Sequence, residues 1–271
     1  MQVAVVQLSS TEDVGRNLDS VRSLVHEAAR AGADFVTLPE NALFLRNSKD
    51  ARAPIEPLDG PLVTEVRRLA ADAGVWLLLG SFPERSPDPQ RHFNTSVLID
   101  GTAEDAPITA AYRKLHLFDV DLASGESQRE SDTILAGDAL VVANVAGVPT
   151  GLSICYDLRF PRLYQALVDL GARLLTVPAA FTEYTGKDHW LPLLRARAIE
   201  NQAWVIAPGQ FGHHGGGRRT YGKSAIIDPW GTVVATASDG VGFALARIDL
   251  ALQDRVRASI PCLRHRHPAA R

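Results

Sequence analysis

Three short segments of this 271-residue chain could carry chemistry. Leu38-Pro39-Glu40-Asn41 closes one apolar run and Tyr112-Arg113-Lys114-Leu115-His116 closes another, while Leu152-Ser153-Ile154 leads into Cys155 shortly before a helix signal at Pro161. A strand-end glutamate can act as a general base if burial raises its pKa toward neutrality. A lysine at a strand end can hold its ammonium against a developing oxyanion. A cysteine at a strand-to-helix turn is an elbow nucleophile, with nearby N–H groups that face a carbonyl and lower the thiol pKa. Each segment also has an ordinary reading: a solvated glutamate, an edge-blunting lysine, a buried structural cysteine. Jointly, Glu40, Lys114 and Cys155 supply a base, an oxyanion partner and a nucleophile, at separations of 74 and 41 residues. Such spacing suits a fold that gathers successive strand ends at one rim.

The elements between them alternate. Gln2–Leu8, Phe35–Leu38 and Val75–Gly80 are β-rich, and Asn17–Ala31 and Leu62–Ala73 have helical apolar spacing. Thr95–Ile99 and Ile108–Tyr112 flank an Asp100-Gly101 hairpin signal. Phe118–Asp138 is polar and reads as a surface loop. A second block follows: strands at Val141–Val145 and Gly151–Ile154, a helix at Pro161–Leu170, a strand at Leu174–Pro178, a helix at His189–Gln202 and a strand at Trp204–Ala207. Ala225–Ile227 and Thr232–Ala235 flank another turn, and Phe243–Ile248 and Leu250–Ala258 close the chain as strand and helix. His213–Arg219 reads as a glycine-rich mobile loop, where a metal at His213 and His214 lacks a third ligand at useful spacing. No linker divides the chain, so residues 1–271 are expected to form one domain. Periodicity supports α/β with mixed sheets.

Composition excludes several classes. The net charge is −3, from 28 Lys and Arg against 31 Asp and Glu. A nucleic-acid binder normally carries a basic excess, and a membrane-surface protein a polybasic cluster. No apolar run reaches the ~18 residues of a membrane span. The N-terminus shows no signal peptide. The two distant cysteines, Cys155 and Cys262, make a poor disulfide framework and too few ligands for structural zinc. A cytoplasmic protein with no metal, no nucleic-acid partner and no membrane partner is expected.

The chain resembles the nitrilase (carbon–nitrogen hydrolase) superfamily. The resemblance is carried in order by Glu40 in LPEN, Lys114 in YRKLHLFD, Cys155 in CYDLRFP, and by HW-LLRARAIENQ and YGKSAIIDPWG. It extends from Val3 to Pro261 and implies a four-layer α-β-β-α sandwich with a Glu–Lys–Cys triad. It implies a second glutamate that supports the lysine, matched by Glu130, with Glu126 competing. It further implies acyl transfer without a cofactor. Glu40 takes the Cys155 proton, the thiolate attacks an amide, Lys114 and the Tyr156 N–H stabilise the oxyanion, ammonia leaves, and water hydrolyses the thioester.

Within the superfamily the chain is similar to the amidase branch that acts on deaminated glutathione and on omega-amides. Gln210-Phe211-Gly212-His213-His214 and DPWGTVVA lean toward the former. The omega-amidase reaction on alpha-ketoglutaramate is the alternative, and an inactive partner-binding scaffold the second. Substrates of this branch carry carboxylates, which a cationic pocket would hold. Arg159, four residues past the nucleophile, is the candidate clamp, unless it pairs with Asp157 or the long helix. Phe181 and Thr182 should line the pocket. Arg197 and Glu200 could pair and buttress the acid from behind. The resemblance also implies a homodimer through helices 161–170 and 189–202.

Overall fold

The computed structural model describes residues 1–48, 50–121, 127–267 and 269. In chain order the elements are β1 (Gln2–Leu8), α1 (Val14–Arg30), β2 (Phe35–Thr37), α2 (Pro61–Ala73), β3 (Trp76–Arg85), β4 (His92–Asp100) and β5 (Ile108–Arg113). Next come β6 (Asp119–Asp121), β7 (Ser127–Arg129), β8 (Ile134–Leu135), β9 (Val142–Val145), β10 (Val148–Gly151), α3 (Pro161–Asp169), β11 (Leu174–Thr176) and α4 (Glu183–Asn201). The chain closes with β12 (Trp204–Ala207), β13 (Gly209–His213), β14 (Arg219–Tyr221), β15 (Ala225–Ile227), β16 (Val233–Thr236), β17 (Gly242–Arg247) and α5 (Leu250–Ser259).

One sheet runs β14-β13-β1-β2-β3-β4-β5, with β17 on β1 and β8 on β4; the other runs β16-β15-β12-β11-β10-β9. Side chains alternate across a strand, and here both faces are buried. Val3, Val5, Phe35, Leu78 and Leu98 face the second sheet, where Ile154, Leu174, Trp204, Ile206 and Ile226 meet them. On the other side of the first sheet, Ala4, Val6, Val36, Leu77 and Leu79 pack under Val21, Val25, Val63 and Val66 of α1 and α2. Leu175, Val205 and Ile227 pack likewise under Leu163, Leu167, Trp190 and Leu194 of α3 and α4. The result is the α-β-β-α sandwich, with mixed parallel and antiparallel pairing.

Local chemistry explains where elements differ from expectation. α1 starts at Val14 rather than Asn17, because the Asp13 carboxylate caps it by accepting from Arg16 N at 3.0 Å. α4 starts at Glu183 rather than His189: its first two turns are polar and show no apolar periodicity. A Cβ on Gly186 in those turns would lie 2.3 Å from Tyr221 Cβ, so glycine lets the helix start lie against β14. Sheet pairing of β10 ends at Gly151, and the extended 152–154 stretch carries Cys155 beyond it. The polar stretch 118–138 is not simply a loop: β6 pairs with β7, and β8 joins β4. Likewise, the His213–Arg219 segment tips a hairpin of β13 and β14, whose partners run from Phe211–Tyr221 to His213–Arg219. His214 there is buried, bonded through Nδ1 to Ser10 O at 2.8 Å and through Nε2 to Thr220 Oγ1 at 2.6 Å. Both ring nitrogens are therefore engaged within the fold.

Candidate active site

Three strand ends converge between the sheets. Glu40 lies just past β2, where Leu38 N still bonds Leu78 O at 2.9 Å, and Asn41 turns the chain with φ 57°. β3 passes so close that a Cβ on Gly80 would lie 2.0 Å from Leu38 O, a contact only glycine permits. Lys114 follows β5, held by Lys114 N donating to Asn94 O at 2.9 Å and Gly137 N donating to Lys114 O at 2.8 Å. Cys155 has φ 48° and opens a short 3-10 turn over Cys155–Arg159. Left-handed φ at a non-glycine residue is sterically costly, and such strain clusters at functional positions. Cys155 N donates to Pro178 O at 2.9 Å, so it is engaged at the β11 end.

The side chains meet in one cluster. Lys114 Nζ lies 3.1 Å from Glu40 Oε1 and 2.9 and 2.8 Å from the two Glu130 oxygens. Glu40 Oε1 also accepts from Asn94 Nδ2 at 2.9 Å, and Glu40 Oε2 accepts from Ala180 N at 2.9 Å. The Cys155 thiol sits beside Glu40, close enough that the carboxylate's charge acts on it. Phe118 N holds Glu130 Oε2 at 2.8 Å. Glu126, the competing second acid, lies outside the described residues. The cluster borders a tight cavity of about 20 Å³ whose lining includes Glu40, Glu130, Cys155, Tyr156, Arg159, Phe181 and Thr182. Arg159 stacks its guanidinium over Phe181, 5.0 Å from the ring centre, and its Nη1 lies 3.4 Å from His189 Nδ1. It does not pair with Asp157, whose oxygens accept from Tyr112 Oη at 2.7 Å, Ile154 N at 2.9 Å and His116 N at 3.1 Å.

Residues 2–258 match the carbon–nitrogen hydrolase family. The chain belongs to that family. It is 44% identical over 272 residues to the deaminated glutathione amidase of Bos taurus, covering 98% of this chain and 82% of that one. It is 41% identical over 266 residues to the deaminated glutathione amidase of Yersinia enterocolitica, covering 97% and 92% of the two chains. The crystal structure of the C. elegans NitFhit protein superposes with a TM-score of 0.88 at 36% identity over 98% of this chain. This carbon–nitrogen hydrolase spans 65% of the NitFhit chain.

Electrostatics in the hydrolase differ from the simple elbow picture. Burial pushes the Glu40 carboxyl up, but the Lys114 charge and hydrogen bonds from Ala180 N and Lys114 outweigh it. Glu40 is thus held below the usual carboxylate range, not raised toward neutrality. Burial pulls Lys114 down, but the Glu130 and Glu40 charges outweigh it and fix the ammonium as a cation. The Cys155 thiol is pushed well up, by burial first and then by the Glu40 charge, against the opposing effect of Lys114. The expected lowering of the thiol pKa fails because burial, and after it the adjacent carboxylate, outweigh the Lys114 charge. The resting site therefore pairs an ionised carboxylate with a neutral thiol.

Several site residues have no sequence signal of their own. Asn94 is one polar residue in β4, and its role follows only from the register that sets β4 beside Glu40 and Lys114. Asp157 ties the Cys155 turn to the lysine segment, since it also takes His116 Nδ1 at 2.7 Å. Arg197 does pair with Glu200, at 2.8 Å, but its bonds go to neither Glu40 nor Glu130, so it does not buttress the acid as expected. Its Nε and Nη2 instead hold Leu158 O at 3.0 and 2.8 Å, which fixes the turn that follows Cys155.

Proposed function

We propose that this hydrolase cleaves deaminated glutathione through a Cys155 thioester. The observation that carries the reading is one buried ammonium, Lys114, bridging two carboxylates that share a cavity lining with the Cys155 thiol. The amidase relatives support the substrate class.

The steps follow from the geometry. Glu40 accepts the Cys155 proton as sulfur attacks the amide carbon. The oxyanion forms beside Lys114 and the Tyr156 N–H, since Cys155 N is already given to Pro178 O. The C–N bond then breaks, and the proton held by Glu40 goes to the departing amine. Water, deprotonated by Glu40, attacks the thioester and returns the thiol. Glu130 keeps Lys114 placed and charged. The expectation of ammonia changes here. Deaminated glutathione carries only secondary amides, so cleavage at its alpha-ketoglutaryl amide releases cysteinylglycine. Ammonia is the product from alpha-ketoglutaramate, which shares the acyl half. The deciding experiment follows alpha-ketoglutarate release from both substrates. A tenfold preference for deaminated glutathione in kcat/KM, ~1.4 kcal/mol of transition-state binding, supports this reading; the reverse preference moves it to an omega-amidase.

Two predictions concern binding and pH. Arg159 is assigned to the substrate's alpha-keto carboxylate, with Phe181 and Thr182 packing the acyl chain. Arg159→Ala should raise KM about tenfold with kcat within about twofold, as loss of ground-state binding does; unchanged kinetics would remove Arg159 from the site. Glu40 is held below its ordinary value of 4.5, so the base stays ionised as pH falls. The pH profile of kcat/KM should therefore stay level from about pH 7 to about pH 5. An acid limb near neutrality would contradict Glu40 as the base.

We also read the protein as a homodimer through α3 and α4. Leu170, Ile199, Trp230 and Ile260 are exposed at 48–59%. Ile199, Trp230 and Ile260 lie near one another at the end of α4: a Cβ on Gly231 would touch Ile199 at 2.5 Å, and Ile260 O accepts from Gln202 just past the helix. Sedimentation at micromolar concentration should give a dimer; a monomer would overturn this. Two free cysteines support a reducing compartment, the cytoplasm. No described helix is long and apolar enough to cross a membrane.

A further inference from the structure

A second cavity adjoins the first and is larger, about 490 Å³ against about 20 Å³. Gln128, Glu130 and Arg218 line both, so they form the wall between them. Past that wall the second cavity is lined by Arg46, His92, Asn94 and Arg129, among others. Building on the amidase reading above, we infer that this cavity is the leaving-group subsite. It takes the amine half of a peptide-like amide, with Arg218 and Arg46 receiving a terminal carboxylate.

Size, charge and rigidity carry the inference. The inner cavity is tight, about 20 Å³, whereas the second, about 490 Å³, falls within the about 300–1,000 Å³ typical of ligand pockets and has room for the bulkier half of a substrate. The departing amine takes its proton from Glu40, and Asn94, bonded to Glu40 Oε1 at 2.9 Å, lines the second cavity. Its lining is cationic. Glu130 is the acid lining it among the described residues, and its oxygens are already taken by Lys114 and Phe118 N. Arg129 is committed to Asp121 at 2.6 Å, which leaves Arg46 and Arg218 as the assigned carboxylate partners. Burial, and then the Arg46 charge, push His92 down to about 4, so it is neutral and offers a hydrogen bond without a charge. Asn94 gives Nδ2 to Glu40, while its buried Oδ1 has no partner among the described residues, an acceptor that a donor entering at this wall would satisfy.

The arginines are also held in place. Arg218 Nη1 donates to Arg46 O at 2.9 Å, which joins the β13–β14 turn to the segment after Leu45. Asn47 Nδ2 bonds His214 O across the same junction. Glu12 accepts from Asn47 N at 2.8 Å and from Ser48 N at 2.7 Å. Arg46 directs Nε and Nη2 to Ala51 O at 3.2 and 2.8 Å. Among the described residues this leaves the Nε–Nη2 edge of Arg218 for two parallel hydrogen bonds to a carboxylate, with Arg46 Nη1 as a further donor.

The test uses three substrates that share one acyl half: deaminated glutathione, its C-terminal carboxamide, and alpha-ketoglutaramate. The wild-type enzyme should lose at least about tenfold in kcat/KM when the terminal carboxylate becomes a carboxamide. Arg218→Gln and Arg46→Gln should each narrow that gap. Each should also lower kcat/KM for deaminated glutathione several-fold more than for alpha-ketoglutaramate. Wild-type enzyme that treats acid and carboxamide alike overturns the subsite, a result that needs no variant to fold. A gap that persists in both variants, or an equal fall on all three substrates, also overturns it. If the wild type cleaves none of the three above a Cys155→Ala blank, the amidase reading itself fails and the subsite falls with it. Cleavage of alpha-ketoglutaramate with the other two untouched keeps the triad and removes the subsite.

Discussion

Cys155→Ala is expected to lower turnover of deaminated glutathione by roughly 10⁴-fold or more while the protein stays folded. The size of the loss follows from the mechanism. Without sulfur there is no thioester, and Glu40 and Lys114 are left with no covalent step to assist. The fold should tolerate the change because the thiol makes no contact that holds an element in place. The turn is fixed by the backbone and by its neighbours: Cys155 N to Pro178 O, Asp157 to Ile154 N, and Arg197 to Leu158 O. The thiol is packed against apolar neighbours in the core, so its removal costs about 1 kcal/mol, typical of a small truncation. Activity and melting temperature should therefore separate: one falls by orders of magnitude, the other by a few degrees. Cys262→Ala, at the other free cysteine, should leave turnover unchanged.

Lys114→Met should do both kinds of damage. Lys114 is fully buried and bridges Glu40 and Glu130. Removing one partner from a buried ion pair costs about 3–5 kcal/mol, because the opposite charge is left without compensation. At about 2–3 °C per kcal/mol for a chain of this size, the midpoint should fall by roughly 6–15 °C. Part of that cost is relieved by protonation. Burial raises the Glu40 pKa and the Lys114 charge lowers it, so without the lysine the balance moves upward. A raised folded-state pKa removes the stabilisation that ionised Glu40 provides above its ordinary value. The variant should consequently lose stability as pH rises from mildly acid to neutral, opposite to the wild-type contribution of this group. Turnover should fall by about 10³-fold, as for loss of an oxyanion partner. Glu40→Gln in the same background should recover part of the midpoint and none of the activity. A Lys114→Met midpoint equal to wild type would contradict the buried bridge.

Much of this site can be read from sequence, and the reason is topological. Glu40, Lys114 and Cys155 each follow a short apolar run, and strands of such a sandwich deliver their ends to one rim. Glu130 is different: it sits in a polar stretch with no periodicity, and only resemblance distinguished it from Glu126. Asn94 and the Asp157–His116–Tyr112 group were invisible because their partners come from strand register, across separations of 41 to 54 residues. Charge balance was likewise hidden. The direction of the Glu40 shift depends on a lysine 74 residues away, and no local window contains both. The β13–β14 pairing is hidden for a related reason: the glycines of 215–217 give no strand signal, while the buried His214 bonds that anchor the hairpin reach back to Ser10.

The central claim is that Cys155 carries the acyl group, and mass spectrometry of acid-quenched enzyme tests it most directly. During steady-state turnover of deaminated glutathione, the Cys155 peptide should gain the mass of an alpha-ketoglutaryl group. The Cys262 peptide should not, and Cys155→Ala enzyme should show neither adduct nor product. Alpha-ketoglutarate formed at the wild-type rate by Cys155→Ala enzyme would contradict the account.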